Sequence, residues 1–143
     1  MVVTVDTNVM YQALHSQNGA SFYVLQLIRT RQIELALSVP VFIEYQDVLY
    51  REKSVAAFDL SKNDVAAFLR LIAYLGKPHD IFYLWRPNLR DEADNMLFEL
   101  AIASHSQWLI ANNIRDFSIG KELAHDGLHI ATPNQFVQTW RQK

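Results

Sequence analysis

The sequence predicts an α/β fold, in which helices cover both faces of a central, mostly parallel sheet of four or five strands. Short apolar runs rich in β-branched residues alternate along the chain with longer segments of helical period. Such alternation is typical of parallel strands joined by helical crossovers. The 143 residues contain no linker, repeat or low-complexity tract, so we expect one domain over residues 1–143.

The first half of the chain contains two predicted strands. Val2–Val5 is a β-branched run that reads as a buried strand, and helical patterns follow it. Residues 33–38 form the second strand. Pro40 suits the first turn of a helix, where a missing N–H has no consequence, and this helix is predicted to end near Glu52.

The second half of the chain continues the alternation. Its predicted elements are a helix opened by a capping box at residues 61–64, a strand at 81–84, a helix from Asp91, strands at 108–110 and 128–130, and a last helix opened by a second capping box at 132–135.

Composition excludes several classes of protein. The chain has no cysteine, which rules out disulfides, thiolate metal sites and cysteine nucleophiles. The net charge of −2 argues against a protein that binds nucleic acid through its whole surface, so any phosphate binding must be local. No apolar run approaches the roughly 20 residues that cross a bilayer, and no signal peptide is evident. We therefore expect a cytoplasmic protein without a membrane partner.

Four acidic residues follow predicted strands or begin helices beside them: Asp6, Glu44, Asp94 and Asp116. Ligands of parallel α/β sheets sit at the carboxyl ends of the strands, where these acids are expected to meet. Clustered carboxylates repel one another and require a counter-ion, and hard divalent ions prefer oxygen ligands. The sequence therefore predicts a nuclease site that binds Mg²⁺ or Mn²⁺.

Each acid also has a purely structural interpretation. Asp6 could cap the helix after it, and Asp94 could interact favourably with the positive end of its helix dipole. Glu44 could be a solvated helix residue, and Asp116 could belong to a turn. Only the four together favour a site. Neighbouring polar residues are expected to hold water or orient a carboxylate, and these are Thr7, Asn8, Asn95 and Asn113.

Five segments together resemble one family. They are VTVDTNV at 3–9, SVPVFIEY at 38–45, DEADNMLFELA at 91–101, LIANNIRDF at 109–117 and IATPNQF at 130–136. In order and spacing they are similar to the PIN-domain nucleases, in particular the small ribonuclease toxins of bacterial toxin–antitoxin pairs.

The resemblance implies a PIN-like fold with an acidic pocket for Mg²⁺ or Mn²⁺. It places Asp6, Glu44, Asp94 and Asp116 on the metal-binding and catalytic acids, with Asp91 as an additional one. It further implies endonucleolytic cleavage of single-stranded RNA by metal-activated water, a small antitoxin protein as partner, and a homodimer or larger assembly. Ala111 stands where relatives often have threonine or serine.

Other residues are assigned by position alone. Arg115 is a candidate phosphate contact, and Arg86 and Arg90 are candidate RNA contacts, although their segment could equally be a loop anchored by a buried tryptophan. The aromatic residues Tyr45, Tyr50 and Phe58 could belong either to the core or to a partner surface.

Three other functions compete with this one. A haloacid-dehalogenase-type phosphotransferase would use Asp6 as nucleophile, but needs a second acid where the chain has Asn8. A signalling receiver domain would need paired aspartates after the first strand. A PIN fold that only binds RNA or protein, with a weak or inactive site, is the remaining alternative.

Overall fold

Five strands form one parallel sheet. The computed structural model describes residues 1–81, 92–114 and 127–143. The strand order is β3-β2-β1-β4-β5, and all neighbouring strands are parallel. The strands are Val2–Val5 (β1), Glu34–Leu37 (β2), Lys77–Pro78 (β3), Trp108–Ile110 (β4) and His129–Ala131 (β5). The predicted fold class is therefore confirmed.

Seven helices lie within the described ranges: Thr7–His15 (α1), Ala20–Arg29 (α2), Val39–Leu49 (α3), Glu52–Phe58 (α4), Lys62–Leu75 (α5), Glu92–Ala103 (α6) and Pro133–Arg141 (α7). Both predicted capping boxes are confirmed, at the starts of α5 and α7. None of these described helices has the length and apolar character needed to cross a bilayer.

The central strand is covered on both faces. Val3, Thr4 and Val5 are all fully buried, although successive side chains of a strand point to opposite faces. The sheet is therefore packed between helices, as predicted for a parallel sheet. On one side of this core, α6 packs against β1, β2 and β4.

The order of the strands creates a switch point at the carboxyl ends of β1 and β4. The chain moves outward from β1 to β2 and β3, and then returns to β4 on the other side of β1. The Asp6 N–H donates to the Ile110 carbonyl at 2.9 Å and holds the two strand ends together. In open α/β sheets, ligands bind in the crevice at such a point.

The predicted strand at 81–84 lies almost entirely outside the described residues, and β3 is formed by an earlier segment. β3 is Lys77–Pro78, just after α5, and it pairs with Ala36 and Leu37 of β2. Ile81 belongs to no strand, and residues 82–84 lie outside the described ranges. A two-residue, exposed edge strand tolerates proline and carries no apolar pattern, which explains why the sequence does not reveal it.

The predicted helix after Pro40 is α3, which ends at Leu49 rather than near Glu52, and a separate helix, α4, begins at Glu52. The chain turns at Tyr50 and Arg51, where Arg51 adopts an extended conformation (φ −57°, ψ 140°). The Ser54 hydroxyl donates to the Val48 carbonyl at 2.8 Å across this corner. Tyr45 and Phe58 are buried in the core, and Tyr50 is half-buried against it.

Tyr45 ties α3 to the carboxyl end of β1. Its side chain is fully buried, and its hydroxyl donates a hydrogen bond to the Val5 carbonyl. Because Glu44 precedes Tyr45 and Asp6 follows Val5, this bond fixes the helix that carries one acid relative to the strand that carries another.

We predict that Tyr45→Phe lowers the free energy of unfolding by about 1–3 kcal/mol, because the buried Val5 carbonyl loses its donor. Urea unfolding followed by circular dichroism measures the change. Tyr50→Phe is the matched control at the end of the same helix, and it should change stability by less than about 0.5 kcal/mol. Equal stabilities of the two variants would contradict a structural role for the Tyr45 hydroxyl.

Candidate metal-binding active site

Asp6 lies at the switch point of the sheet. It follows β1 directly and is half-buried. It is the N-cap residue of α1, and its backbone carbonyl accepts from Val9 at 3.0 Å, but its side chain forms no capping hydrogen bond. Helix capping, the structural interpretation available from the sequence, is therefore not the role of this carboxylate.

Glu44 lies on α3, which begins at the carboxyl end of β2. The Ser38 hydroxyl caps this helix by accepting from the Val41 N–H at 3.3 Å, and Pro40 lies in its first turn. Glu44 is half-buried rather than fully solvated. Its neighbour Tyr45 is bonded to Val5, so Glu44 is held near the strand end that carries Asp6.

Asp94 lies in the first turn of α6 and is half-buried. The helix ends just before β4 begins, so it runs antiparallel to the strands and its first turn lies towards their carboxyl ends. Beside Asp94, Asn95 is buried, and its amide lies 3.5 Å from a Glu92 carboxylate oxygen. The topology therefore directs Asp6, Glu44 and Asp94 to one edge of the sheet.

The electrostatics of this edge act on Tyr45. Burial raises the pKa of the Tyr45 hydroxyl far above its usual value, and the negative charge of Asp6 raises it further. The hydroxyl therefore remains a neutral hydrogen-bond donor over the physiological pH range.

The described acids supply only part of the predicted ligand set. Within residues 1–81, 92–114 and 127–143, no three Asp, Glu or His side chains lie close enough to share a metal ion. The other predicted residues lie outside these ranges, namely Asp91 and Asp116 among the acids and Arg86, Arg90 and Arg115 among the RNA contacts. Asp6, Glu44 and Asp94 each interact with other groups of the protein.

The chemistry of the donors fits a hard divalent ion. The candidate ligands are oxygen atoms, and magnesium requires only one or two carboxylates because it keeps several of its waters. The Thr7 hydroxyl, next to Asp6, is buried and has no hydrogen-bond partner among the residues that the structure describes. A buried hydroxyl without a partner is uncommon and suits a site where a hydrated ion supplies one. The predicted neighbours Asn8 and Asn113 are exposed.

Two residues of this region were missed in the sequence. Glu99 is only 5% exposed although it is a carboxylate in the middle of α6, and it interacts with other groups of the protein. The signal was available, because Glu99 interrupts an otherwise apolar run from 96 to 102. The role of Tyr45 carried no such signal, because its partner is the Val5 carbonyl forty residues earlier.

Comparison with known proteins agrees with this geometry. A model of the PIN domain family matches residues 2–115, which include Asp6, Glu44 and Asp94; Asp116 lies one residue beyond the match. Among solved structures, the crystal structure of VapBC2 from Rickettsia felis bound to a DNA fragment from their promoter contains a similar chain. The TM-score is 0.61 at 20% identity, over 92% of this chain and 98% of that chain. Comparison with curated proteins gave no match.

The family match covers most of the chain, and it includes four of the five strands of the sheet and three of the acids described above. The structural similarity extends over nearly the full length, and at this identity it shows a shared fold. On these grounds the chain belongs to the PIN domain family.

Proposed function

We propose that this protein is a metal-dependent endoribonuclease that cleaves single-stranded RNA, and that it is the toxin of a toxin–antitoxin pair. The observation that carries the proposal is the position of Asp6. Its carboxylate lies at the switch point of a PIN-domain sheet and does not cap the helix that it precedes. Membership of a family whose members are generally nucleases supports the same assignment.

The ion would be Mg²⁺ or Mn²⁺, held by Asp6, Glu44, Asp94 and Asp116, with Asp91 as an additional acid. When bound, such an ion would lower the pKa of a water and offset negative charge on the phosphodiester. The acids of the chain would hold the ion, and the Thr7 hydroxyl, Asn8, Asn95 and Asn113 would hold water or orient the carboxylates.

The remaining residues would bind and position the substrate. Arg115, Arg86 and Arg90 are the proposed phosphate and RNA contacts, selected by their position beside the acids. Tyr45 would keep Glu44 and Asp6 in register through its bond to Val5. As a neutral donor buried behind the acids, it adds no charge to their edge.

The proposed partner is a small antitoxin protein. The similar solved chain comes from VapBC2, and the family resemblance of the present sequence is to toxins of such pairs. We further propose a homodimer or larger assembly in the cytoplasm. An antitoxin that covers the acidic edge would keep the toxin inactive until it is removed.

Substitution of the acids tests the proposed chemistry. We predict that Asp6→Asn or Asp94→Asn lowers the rate of RNA cleavage by more than about 100-fold, because a ligand of the ion is lost. Cleavage of labelled single-stranded RNA in Mn²⁺, Mg²⁺ or excess chelator measures the effect. Asp47→Asn is the control, because Asp47 is an exposed residue of α3 that forms an ion pair with Arg51 at 3.2 Å, and it should leave the rate unchanged.

Two results would contradict this chemistry. Cleavage that survives complete removal of metal would exclude a metal-dependent mechanism. No cleavage by folded, antitoxin-free wild-type protein under any condition would favour the alternative function, a PIN fold that only binds RNA or protein.

Metal binding can be tested without activity. We predict that Mn²⁺ at 100 times its dissociation constant stabilises the wild-type protein by about 2.7 kcal/mol and Asp6→Asn by much less. In chelator, Asp6→Asn should melt at or above the wild-type temperature, because repulsion between carboxylates is relieved. Thermal unfolding with and without Mn²⁺ measures both effects. A decrease of many degrees for the metal-free variant would argue against clustered, repelling acids.

A further inference from the structure

A groove runs between α2 and α7, beside the acidic edge. It consists of two adjoining cavities that share Gly19, Ala20 and Asn134. The inner cavity, of about 510 Å³, reaches Asn112 and Ser21. The outer cavity, of about 350 Å³, continues along the helices to Tyr23 and Arg141. We call the whole feature the α2–α7 groove.

The inner cavity lies at the same edge of the sheet as Asp6. In the lining of this cavity, Asn112 lies just after β4 and Thr132 follows β5. The Ala111 N–H donates to the Ala131 carbonyl at 3.0 Å, so the carboxyl ends of these two strands lie side by side. β4 is the direct neighbour of β1, and β5 is the next strand along. With a strand spacing of about 4.8 Å, the cavity lies roughly 5–10 Å from the strand that carries Asp6.

The start of α2 makes the inner cavity suitable for an anion. α2 has ten residues, and its N-cap is Gly19, which has no side chain to satisfy the first N–H groups. These groups lack acceptors within the helix and carry its positive dipole end, a combination that binds phosphate. The cavity also contains the N-terminus of α7, where Thr132 and Pro133 begin the helix.

Ser21 provides a second, independent indication of a ligand. The residue is only 8% exposed, and it lines the inner cavity. Its hydroxyl forms no hydrogen bond within the part of the chain that the structure describes. The Ser21 hydroxyl is therefore open to the cavity at a helix N-terminus, where it can donate to a bound oxyanion.

The outer cavity adds an aromatic ring and a cation. The Arg141 guanidinium lies 4.9 Å from the centre of the Tyr23 ring, a cation–π contact. Arg141 forms no ion pair within the described residues, so its N–H groups are available to a phosphate. A guanidinium plane stacked on an aromatic ring is also a surface on which single-stranded bases stack.

The described lining of the groove contains no acidic residue. The chain has 15 aspartates and glutamates against 13 lysines and arginines, yet within residues 1–81, 92–114 and 127–143 no acid lines either cavity. The polar groups of the inner cavity are hydroxyls and amides, such as those of Ser16, Asn112 and Asn134. A polyanion in the groove would therefore meet no repulsion from these lining residues.

We propose that the α2–α7 groove binds the single-stranded RNA substrate beyond the scissile bond, a subsite that rests on the proposed ribonuclease function. A backbone phosphate would bind at the N-terminus of α2 and Ser21, and the next nucleotides would lie against Arg141 and Tyr23. The groove thus holds a stretch of strand that continues away from the acids.

The sharpest test places one negative charge in the groove. Asn134 is exposed, belongs to both cavities, and is the second residue of α7 after a capping box. Aspartate is favourable at this helix position, so Asn134→Asp should fold normally. Asn63→Asp is a matched control, because Asn63 is the exposed second residue of α5, which also begins with a capping box.

Binding is measured by fluorescence anisotropy of labelled single-stranded RNA with the full chain in excess chelator, so that cleavage does not interfere. Asn134→Asp should weaken binding roughly fivefold or more, and Asn63→Asp should not weaken it. Arg141→Gln should lower the slope of log affinity against log salt by about 0.7, because one phosphate contact is lost. Arg70→Gln, an exposed residue of α5, should leave the slope unchanged.

The outcomes separate this proposal from the proposed enzyme. If the wild type cleaves RNA and both groove variants bind it like their controls, the groove subsite is excluded while the nuclease stands. If RNA binding responds as predicted but no cleavage occurs with any metal, the subsite stands and the enzyme does not. Loss of antitoxin binding in Asn134→Asp, with RNA binding unchanged, would assign the groove to a protein partner and overturn the RNA subsite.

Discussion

The end of β1 is the point on which the rest of the structure depends. The strand is buried on both faces and paired on both sides, so its backbone cannot move without disrupting the core. At its last residue the Val5 carbonyl accepts from Tyr45, and the following N–H, of Asp6, donates to Ile110. These two bonds fix α3 and β4 to one point. Any site at the switch point therefore inherits the rigidity of the core.

Stability and function make opposite demands at this edge. Two carboxylates held about 4 Å apart repel each other by about 4 kcal/mol at an effective dielectric constant of 20, which exceeds the contribution of a typical buried hydrogen bond. The proposed site brings Asp6, Glu44 and Asp94 together at this edge, where such repulsion would oppose folding. A bound cation would reverse the sign of this interaction and would stabilise the site that it occupies.

The sequence predicted the parts that depend on local signals or on general topology. β1 and β2 are apolar runs, both capping boxes have the expected hydrogen bonds, and the rule for parallel sheets directed Asp6 to the carboxyl edge. β3 was not predictable, because Lys77–Pro78 is a strand only through its pairing with β2. Tyr45 and Ser21 were missed for a related reason, since their importance lies in what surrounds them in space.

A net charge of −2 is a difficulty for a protein proposed to hold RNA, and the structure suggests how it is met. Positive potential need not come from basic side chains, because helix N-termini supply it through backbone N–H groups. The α2–α7 groove combines such a terminus with the Ser21 hydroxyl and with Arg141, and none of the described residues that line it is acidic. The groove would then supply most of the binding energy for RNA, and the acids would supply the chemistry.

Contacts to the RNA outside the scissile bond increase occupancy of the site, whereas only interactions that strengthen in the transition state accelerate cleavage. With this division, the proposed metal site can be acidic while the groove still binds a polyanionic substrate.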